Sequence, residues 1–124
     1  MAIKAEYVDP IGGGDNFSTR AILPRTSITI AATGTTFDYT ISTGGARITR
    51  YIMEVPDYTT GTPTTTLSII DVNSVTIFSG AAHAENANYS IPVDIELVGY
   101  YTLRLTLSGA SGGATTVPLT LLGY

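Results

Sequence analysis

The sequence predicts an all-β protein, built as an antiparallel β-sandwich. Three observations carry this prediction. Apolar and polar residues alternate in segment after segment, and glycine, proline, serine and asparagine clusters separate the segments. The segments recur about every ten residues, which is the spacing of sandwiches and barrels. The 124 residues suffice for one domain with a substantial core, since 44% of them are hydrophobic.

The strands of the first half follow from alternation. Residues 27–32 and 37–41 each alternate in polarity, and residues 42–45 (Ser-Thr-Gly-Gly) predict a turn after them. Residues 46–55 are apolar on both faces toward their end, which is typical of a central strand. The proline- and threonine-rich residues 56–63 predict a loop.

A hairpin is predicted next along the chain. Residues 65–69 alternate as a strand, residues 71–74 (Asp-Val-Asn-Ser) predict a turn, and residues 75–79 predict the returning strand. Residues 80–86 are expected to form a loop or a single helical turn.

The clearest alternation lies over residues 87–96. Pro92 cannot donate a ladder hydrogen bond, so we expect an edge position or a bulge there. A glycine turn at Gly99 then leads into a strand over residues 101–107, and the last strand is expected over residues 115–121 with Pro118 at an edge or a break. The residues predicted to face inward over residues 87–96 are Ala87, Tyr89, Ile91, Val93 and Ile95.

Residues 1–25 differ from the rest and predict an N-terminal arm, with the sandwich domain over residues 26–124. The arm contains Pro10, Gly12–Gly14 and Pro24, which disfavour a stable element apart from a short strand near residues 3–8. We expect it either to pair with its own sheet or to dock on a neighbour. Its candidate assembly contacts are Ile3, Tyr7, Val8, Ile11 and Phe17.

Charge is scarce on this chain. Only 13% of residues are charged, about half the usual share, which favours a surface partly covered by partners. The net charge is −4 and the cations are scattered, so we expect no nucleic-acid partner. No apolar run reaches the length of a signal peptide or a membrane span, so we expect folding in a cytoplasm and no membrane partner.

Catalytic equipment is sparse as well. The chain has no cysteine and one histidine, His83, which is expected to be an exposed or loop-packed residue without an adjacent nucleophile motif. Asp71 and Asn73 lack the glycine and glutamate of a calcium loop and instead predict a turn. We therefore predict no catalytic residue, no metal site and no cofactor. The carboxylates considered and assigned to ordinary outward positions are Glu54, Asp57, Asp94 and Glu96.

The pattern Leu97-x-Gly99-x-Tyr101 resembles the tyrosine corner of immunoglobulin-like and fibronectin type III domains. The resemblance implies an Ig-like, Greek-key sandwich, although the cysteine pair and tryptophan of antibody domains are absent. It further implies a buried Tyr101 whose hydroxyl bonds to upstream backbone near residues 93–97. Alternatively, Tyr101 is simply a large core residue after a turn.

The glycine-containing arm, the threonine-rich sequence without cysteine or tryptophan, and the small-residue hairpin at residues 108–113 resemble small β-sandwich accessory proteins of tailed-bacteriophage virions. Capsid decoration (cement) proteins and neck or tail accessory proteins are of this kind. The resemblance implies a non-enzymatic, homo-oligomeric virion subunit. It would be made in the host cytoplasm and docked on major capsid or other virion proteins. The alternative is a carbohydrate-binding or host-adhesion module that uses Tyr58 and Tyr100 as stacking platforms.

Overall fold

A computed structural model describes residues 19–124 and is all-β, as the alternation predicts. No residue in this range is helical. The predicted assembly contacts in the arm lie outside the described residues. The strands within the range are β1 (Arg20–Ile30), β2 (Thr36–Val55), β3 (Thr65–Asp71), β4 (Thr76–Ser79), β5 (Ala87–Leu107) and β6 (Thr115–Gly123).

The six described strands form one antiparallel sheet in the order β1-β6-β2-β5-β3-β4. The long strands β2 and β5 pair from Thr36 opposite Thr106 to Val55 opposite Ala87. Strand β6 joins only the second half of β2, and β3 joins only the second half of β5. Within residues 19–124, each long strand therefore has two neighbouring strands over its second half and one over its first.

The two predicted turns at residues 42–45 and at Gly99 are wrong, because both β2 and β5 continue through these positions. Thr43 pairs with Gly99, and the register of β2 shifts between Thr43 and Ala46. Gly45 and Gly99 have φ angles of 128° and 103°, which L side chains rarely adopt. Facing irregularities in both strands let the paired ribbon bend without losing its ladder, so the glycines bend the strands instead of ending them.

The sheet curls into two layers around one core. The rings of Tyr51 on β2 and Phe78 on β4 lie 6.2 Å apart, although these strands are three positions apart in the sheet order. In a flat sheet that separation would be about 14 Å. The two end strands, β1 and β4, are not paired with each other, so the described sheet stays open. The core includes Ile28, Ile30, Ile48, Met53, Leu67, Ile69, Leu103, Leu105, Leu107, Val117, Leu119 and Leu121.

Strand β1 begins earlier than predicted. Residues 20–25 were expected in the arm, but they pair with β6, and Leu23 is buried in the core. A register shift between Leu23 and Thr26 accommodates Pro24, and the Thr26 hydroxyl donates to the Pro24 carbonyl at 2.7 Å. A proline that breaks the alternation in sequence is thus absorbed by a bulge.

The predictions for the other two strand prolines and for the hairpin are confirmed. Pro92 lies where β5 pairs only with β2 in the described chain, next to a register shift. Pro118 pairs with Ser27 of β1. The pairing of β6 with β2 covers only Leu119 to Gly123, so Pro118 has a strand on one side only within the described chain. Strands β3 and β4 form the predicted hairpin, and residues 80–86 are a loop whose His83 bridges to Thr65.

Candidate functional site

The first half of β5, residues 87–97, is an open sheet edge. Within the described residues it pairs with β2 on one side and with no strand on the other. The predicted inward alternation holds for Tyr89, Ile91, Val93 and Ile95, which are half-buried. Ala87, which was also predicted to face inward, is exposed at the start of the strand. An edge of this kind offers unpaired backbone donors and acceptors beside a row of apolar side chains. We call residues 87–97 the β5 edge.

Charged side chains accompany the β5 edge. Arg47 on β2 bonds to Asp94 and lies 3.5 Å from Glu96, while Arg50 donates to the Ser90 hydroxyl at 2.9 Å. The hydrogen bond to Asp94 and the charges of both carboxylates raise the pKa of Arg47. Charges and a proline on an edge strand restrict which chains can pair with it, so the edge is accessible but selective.

A second exposed feature lies at the bend of β5. Val72, Val98 and Tyr100 are exposed and, with Asp71, Gly99 and Tyr101, line a shallow cavity of about 370 Å³. Asp71 shapes its rim, because its Oδ1 accepts hydrogen bonds from the backbone of Asn73 and Val75 at 2.9 Å each. We call this cavity the Tyr100 hollow. It places the exposed Tyr100 ring and the half-buried Tyr101 beside a carboxylate and apolar side chains.

Tyr58, the other predicted stacking platform, is buried with 4% of its surface exposed. Its hydroxyl lies 2.7 Å from Thr65 Oγ1, and its backbone N–H donates to Glu85 Oε1 at 2.9 Å. Burial raises the pKa of this phenol. The loop at residues 56–63 folds inward against β3, so Tyr58 packs in the core. Its ring is therefore not accessible for stacking on a ligand.

The three residues of the predicted corner shape the bend of β5. Leu97 is fully buried, and Tyr101 is half-buried where a buried side chain was predicted. The Tyr101 hydroxyl accepts from Val98 N at 3.0 Å and donates to Val98 O at 3.1 Å. It therefore closes a three-residue loop around Gly99 in its own strand, instead of reaching residues 93–97, and an Ig-like corner is not confirmed.

His83 is packed in its loop, one of the two predicted environments, and is 6% exposed. Its Nε2 lies 2.7 Å from the Tyr51 hydroxyl, and its ring stacks on Tyr89 with centroids 4.3 Å apart. Burial lowers the pKa of His83. The alternation of β2 predicted a buried strand, but it gave no sign that Tyr51 and Tyr89 would meet this imidazole.

Residues 19–124 contain no group of three histidine, cysteine, aspartate or glutamate side chains placed to hold a metal ion. In the same range, no helix has the length and apolarity to cross a membrane.

No protein-family model and no curated protein sequence matches the chain. Several solved structures match the chain at low sequence identity and low TM-score. Infectious bursal virus-derived T=1 particles match at 13% identity and a TM-score of 0.41, over 86% of this chain and 30% of that chain. The VP2 subviral particle of infectious bursal disease virus matches at 11% identity and a TM-score of 0.43, over 86% of this chain and 31% of that chain.

Dimeric latent PorU from Porphyromonas gingivalis matches at 12% identity and a TM-score of 0.41, over 88% of this chain and 13% of that chain. The chain thus spans less than a third of the length of each of these three neighbours. With TM-scores below 0.5, the likeness carries no weight in assigning a function.

Proposed function

We propose that this protein is a non-enzymatic structural subunit of a virion that docks on its neighbours by strand pairing. The observation that carries the proposal is the β5 edge, where backbone groups and a half-buried apolar row lie open together. A strand added there would satisfy the backbone and cover the row, which is how extended segments bind to sheet edges. The low charge of the chain adds little repulsion between subunits.

We further propose that the added strand comes from residues 1–18 of a second copy of this chain. These residues carry Ile3, Tyr7, Val8, Ile11 and Phe17, which provide apolar side chains for the open row. Fully extended, a segment of this length reaches about 60 Å. It therefore has the reach to pair with either its own edge or a neighbour's.

The direction of the strands favours a neighbour. Arg20 pairs with Gly123, which pairs with Ile48, which pairs with Ile95, so all four lie in one row across the sheet. The segment before Arg20 thus joins the sheet at the end toward which the β5 edge runs. To pair with its own edge it would have to run parallel to β5, in a sheet whose described pairs are all antiparallel, or double back. A second copy is free of this constraint.

Deletion of residues 1–16 tests the proposal. We expect the shortened chain to stay folded with little change in melting temperature, but to lose self-association in analytical ultracentrifugation and cosedimentation with purified virus particles. A synthetic peptide of residues 1–18 should bind the shortened chain and protect the amides of the β5 edge from hydrogen exchange. A matched peptide with Ile3, Tyr7 and Val8 replaced by serine should not.

Two results would count against this function. A shortened chain that unfolds would place the segment in its own fold. A shortened chain that associates and cosediments as well as the full chain would remove the docking role.

The Tyr100 hollow favours a second candidate function, carbohydrate binding. Tyr100 is 64% exposed, and the Asp71 carboxylate on the same hollow is a hydrogen-bond acceptor for sugar hydroxyls. On this alternative, the protein should be retained on a polysaccharide column, and Tyr100→Ala should abolish retention. Tyr39→Ala is the matched control, since Tyr39 is also exposed but lies outside the hollow. Equal elution of all three proteins in the void volume would exclude this alternative.

A further inference from the structure

The loop at residues 80–86 connects β4 to the β5 edge and is fastened at its centre by His83. The backbone of His83 exchanges two hydrogen bonds of 2.9 Å with Thr65 at the start of β3. Its ring bonds to Tyr51 and stacks on Tyr89, and the Tyr89 hydroxyl donates to Ala84 O at 2.8 Å. His83 therefore holds the loop to three strands, to β3 through its backbone and to β2 and β5 through its imidazole.

Among residues 19–124, the groups that contact this imidazole are uncharged. The group facing it from β2 is the Tyr51 phenol, and the group facing it from β5 is the Tyr89 ring. Strand β3 presents the Thr65 backbone, and β4 contributes only Phe78, which packs on Tyr51. The nearest carboxylate along the loop, Glu85, accepts the Tyr58 backbone N–H instead.

A proton on His83 would thus be a buried positive charge among uncharged groups. Charged groups are costly to bury without a partner. The face of Tyr89 attracts a cation only weakly. The Tyr51 hydroxyl can adapt to either protonation state, since it can donate to a neutral nitrogen or accept from a protonated one. The Tyr51 bond thus favours neither state, whereas burial without a charged partner favours the neutral imidazole.

We propose that residues 80–86 form an acid-released latch, in which protonation of His83 detaches the loop from β3 and from the start of the β5 edge. Release would uncover Tyr51 and Phe78 and free Tyr89 from its bond to Ala84. The latch belongs to the single chain, so it goes beyond the proposed function and does not depend on any assembly.

The pH window follows from linkage. Burial holds the pKa of His83 below its ordinary value of 6.5, so the released loop binds a proton more readily than the closed one. The closed state is favoured fully above pH 6.5. Below it, the ratio of released to closed loop rises by up to tenfold per pH unit, until the closed-state pKa is passed. Hydrogen bonds to Arg104 and Arg25 hold the pKa values of Asp38 and Glu54 below their ordinary values of 3.8 and 4.5. These two carboxyls therefore change stability only at a pH below the window in which His83 is protonated.

The single histidine of the chain makes the test direct. Its Hε1 proton gives one NMR signal, whose titration midpoint we expect to be lower in the folded full-length protein than in the same protein in urea. Between pH 7 and 5, hydrogen-exchange protection, corrected for intrinsic rates, should fall for the amides of His83 and Thr65. The amides of Val117 and Leu119 in β6 should keep their protection.

His83→Gln is the matched variant, because its amide can bond to Tyr51 but cannot be protonated in this range. We expect it to lose the pH-dependent exchange between pH 7 and 5. A folded-state midpoint at or above the unfolded one would overturn the latch, even if the variant fails to fold. So would equal loss of protection in the loop and in β6, or pH-dependent exchange that persists in His83→Gln.

Discussion

The two halves of β5 belong to one strand and share one alternation, yet they differ in burial. In the second half, Leu103, Leu105 and Leu107 are almost wholly buried. In the β5 edge, Ile91, Val93 and Ile95 point to the same face of the strand and are half-buried. The second half lies between β2 and β3, whereas the edge has β2 alone within the described chain. The number of neighbouring strands accounts for the contrast.

This contrast separates what the alternation of a strand determines from what it does not. Alternation determines which side chains share a face, because successive residues point to opposite sides. How much of that face is removed from water depends on which strands pair nearby, and these come from distant parts of the chain. The β5 edge is therefore the less buried half of the strand, and it is the half to which we assign the proposed docking.

The largest expected effect compares truncations in the two halves. Leu105→Ala should lower the free energy of unfolding by about 2–5 kcal/mol, because it opens a cavity in a closed part of the core. Ile91→Ala should cost about 1 kcal/mol, since this side chain already contacts water. Urea denaturation of both variants measures the difference. Equal costs would mean that the edge is covered in solution and that the contrast in burial does not hold there.

Much of the fold could be predicted from the sequence. The all-β class, the β3–β4 hairpin and the inward-facing positions from Tyr89 to Ile95 follow from local alternation and turn residues. The bends in β2 and β5 could not be predicted, because Gly44-Gly45 and Gly99 read alone as turn residues. Only the pairing of Thr43 with Gly99 shows that two strands bend together there. That pairing joins segments far apart in sequence.

The bend that separates the two halves gives the next prediction. Gly99→Ala should lower the free energy of unfolding by about 1–3 kcal/mol, because alanine is strained at a φ of 103° even though the space around it is open. Gly44→Ala is the control, because its surroundings are equally open and its φ lies outside the strained range. It should be close to neutral. Thermal unfolding of the two variants compares them directly, and two equal melting temperatures would argue against a strained bend.

The candidate site was harder to predict than the fold. Tyr100 was correctly expected to point outward, because it alternates with Tyr101. Tyr58 lies in a loop without alternation, so nothing local indicated that it would turn inward to meet Thr65. The contacts of His83 join a loop to β2, β3 and β5, and no sequence pattern predicts them, because the partners lie far apart along the chain. Sequence patterns predict faces well, whereas contacts between distant segments require the fold.

The smallest effect concerns the hydroxyl that spans the bend. Tyr101→Phe removes the oxygen that bonds to both backbone groups of Val98 and leaves the half-buried ring in place. We expect a loss of about 0.5–1.5 kcal/mol in the free energy of unfolding, the usual net contribution of a hydrogen bond. Tyr100→Phe is the matched control. It alters the adjacent exposed tyrosine and should change stability by less than the error of a chemical denaturation curve.

The position of the loss within β5 is as informative as its size. If the hydroxyl holds the bend, Tyr101→Phe should reduce hydrogen-exchange protection around residues 97–101 more than at Leu105, which β2 and β3 flank. The β5 edge would then be free to swing relative to the second half, and its pairing with an added strand would weaken while the core stayed intact. A uniform loss of protection along β5 would instead show that the two halves form one rigid unit, with the hydroxyl contributing only to overall stability.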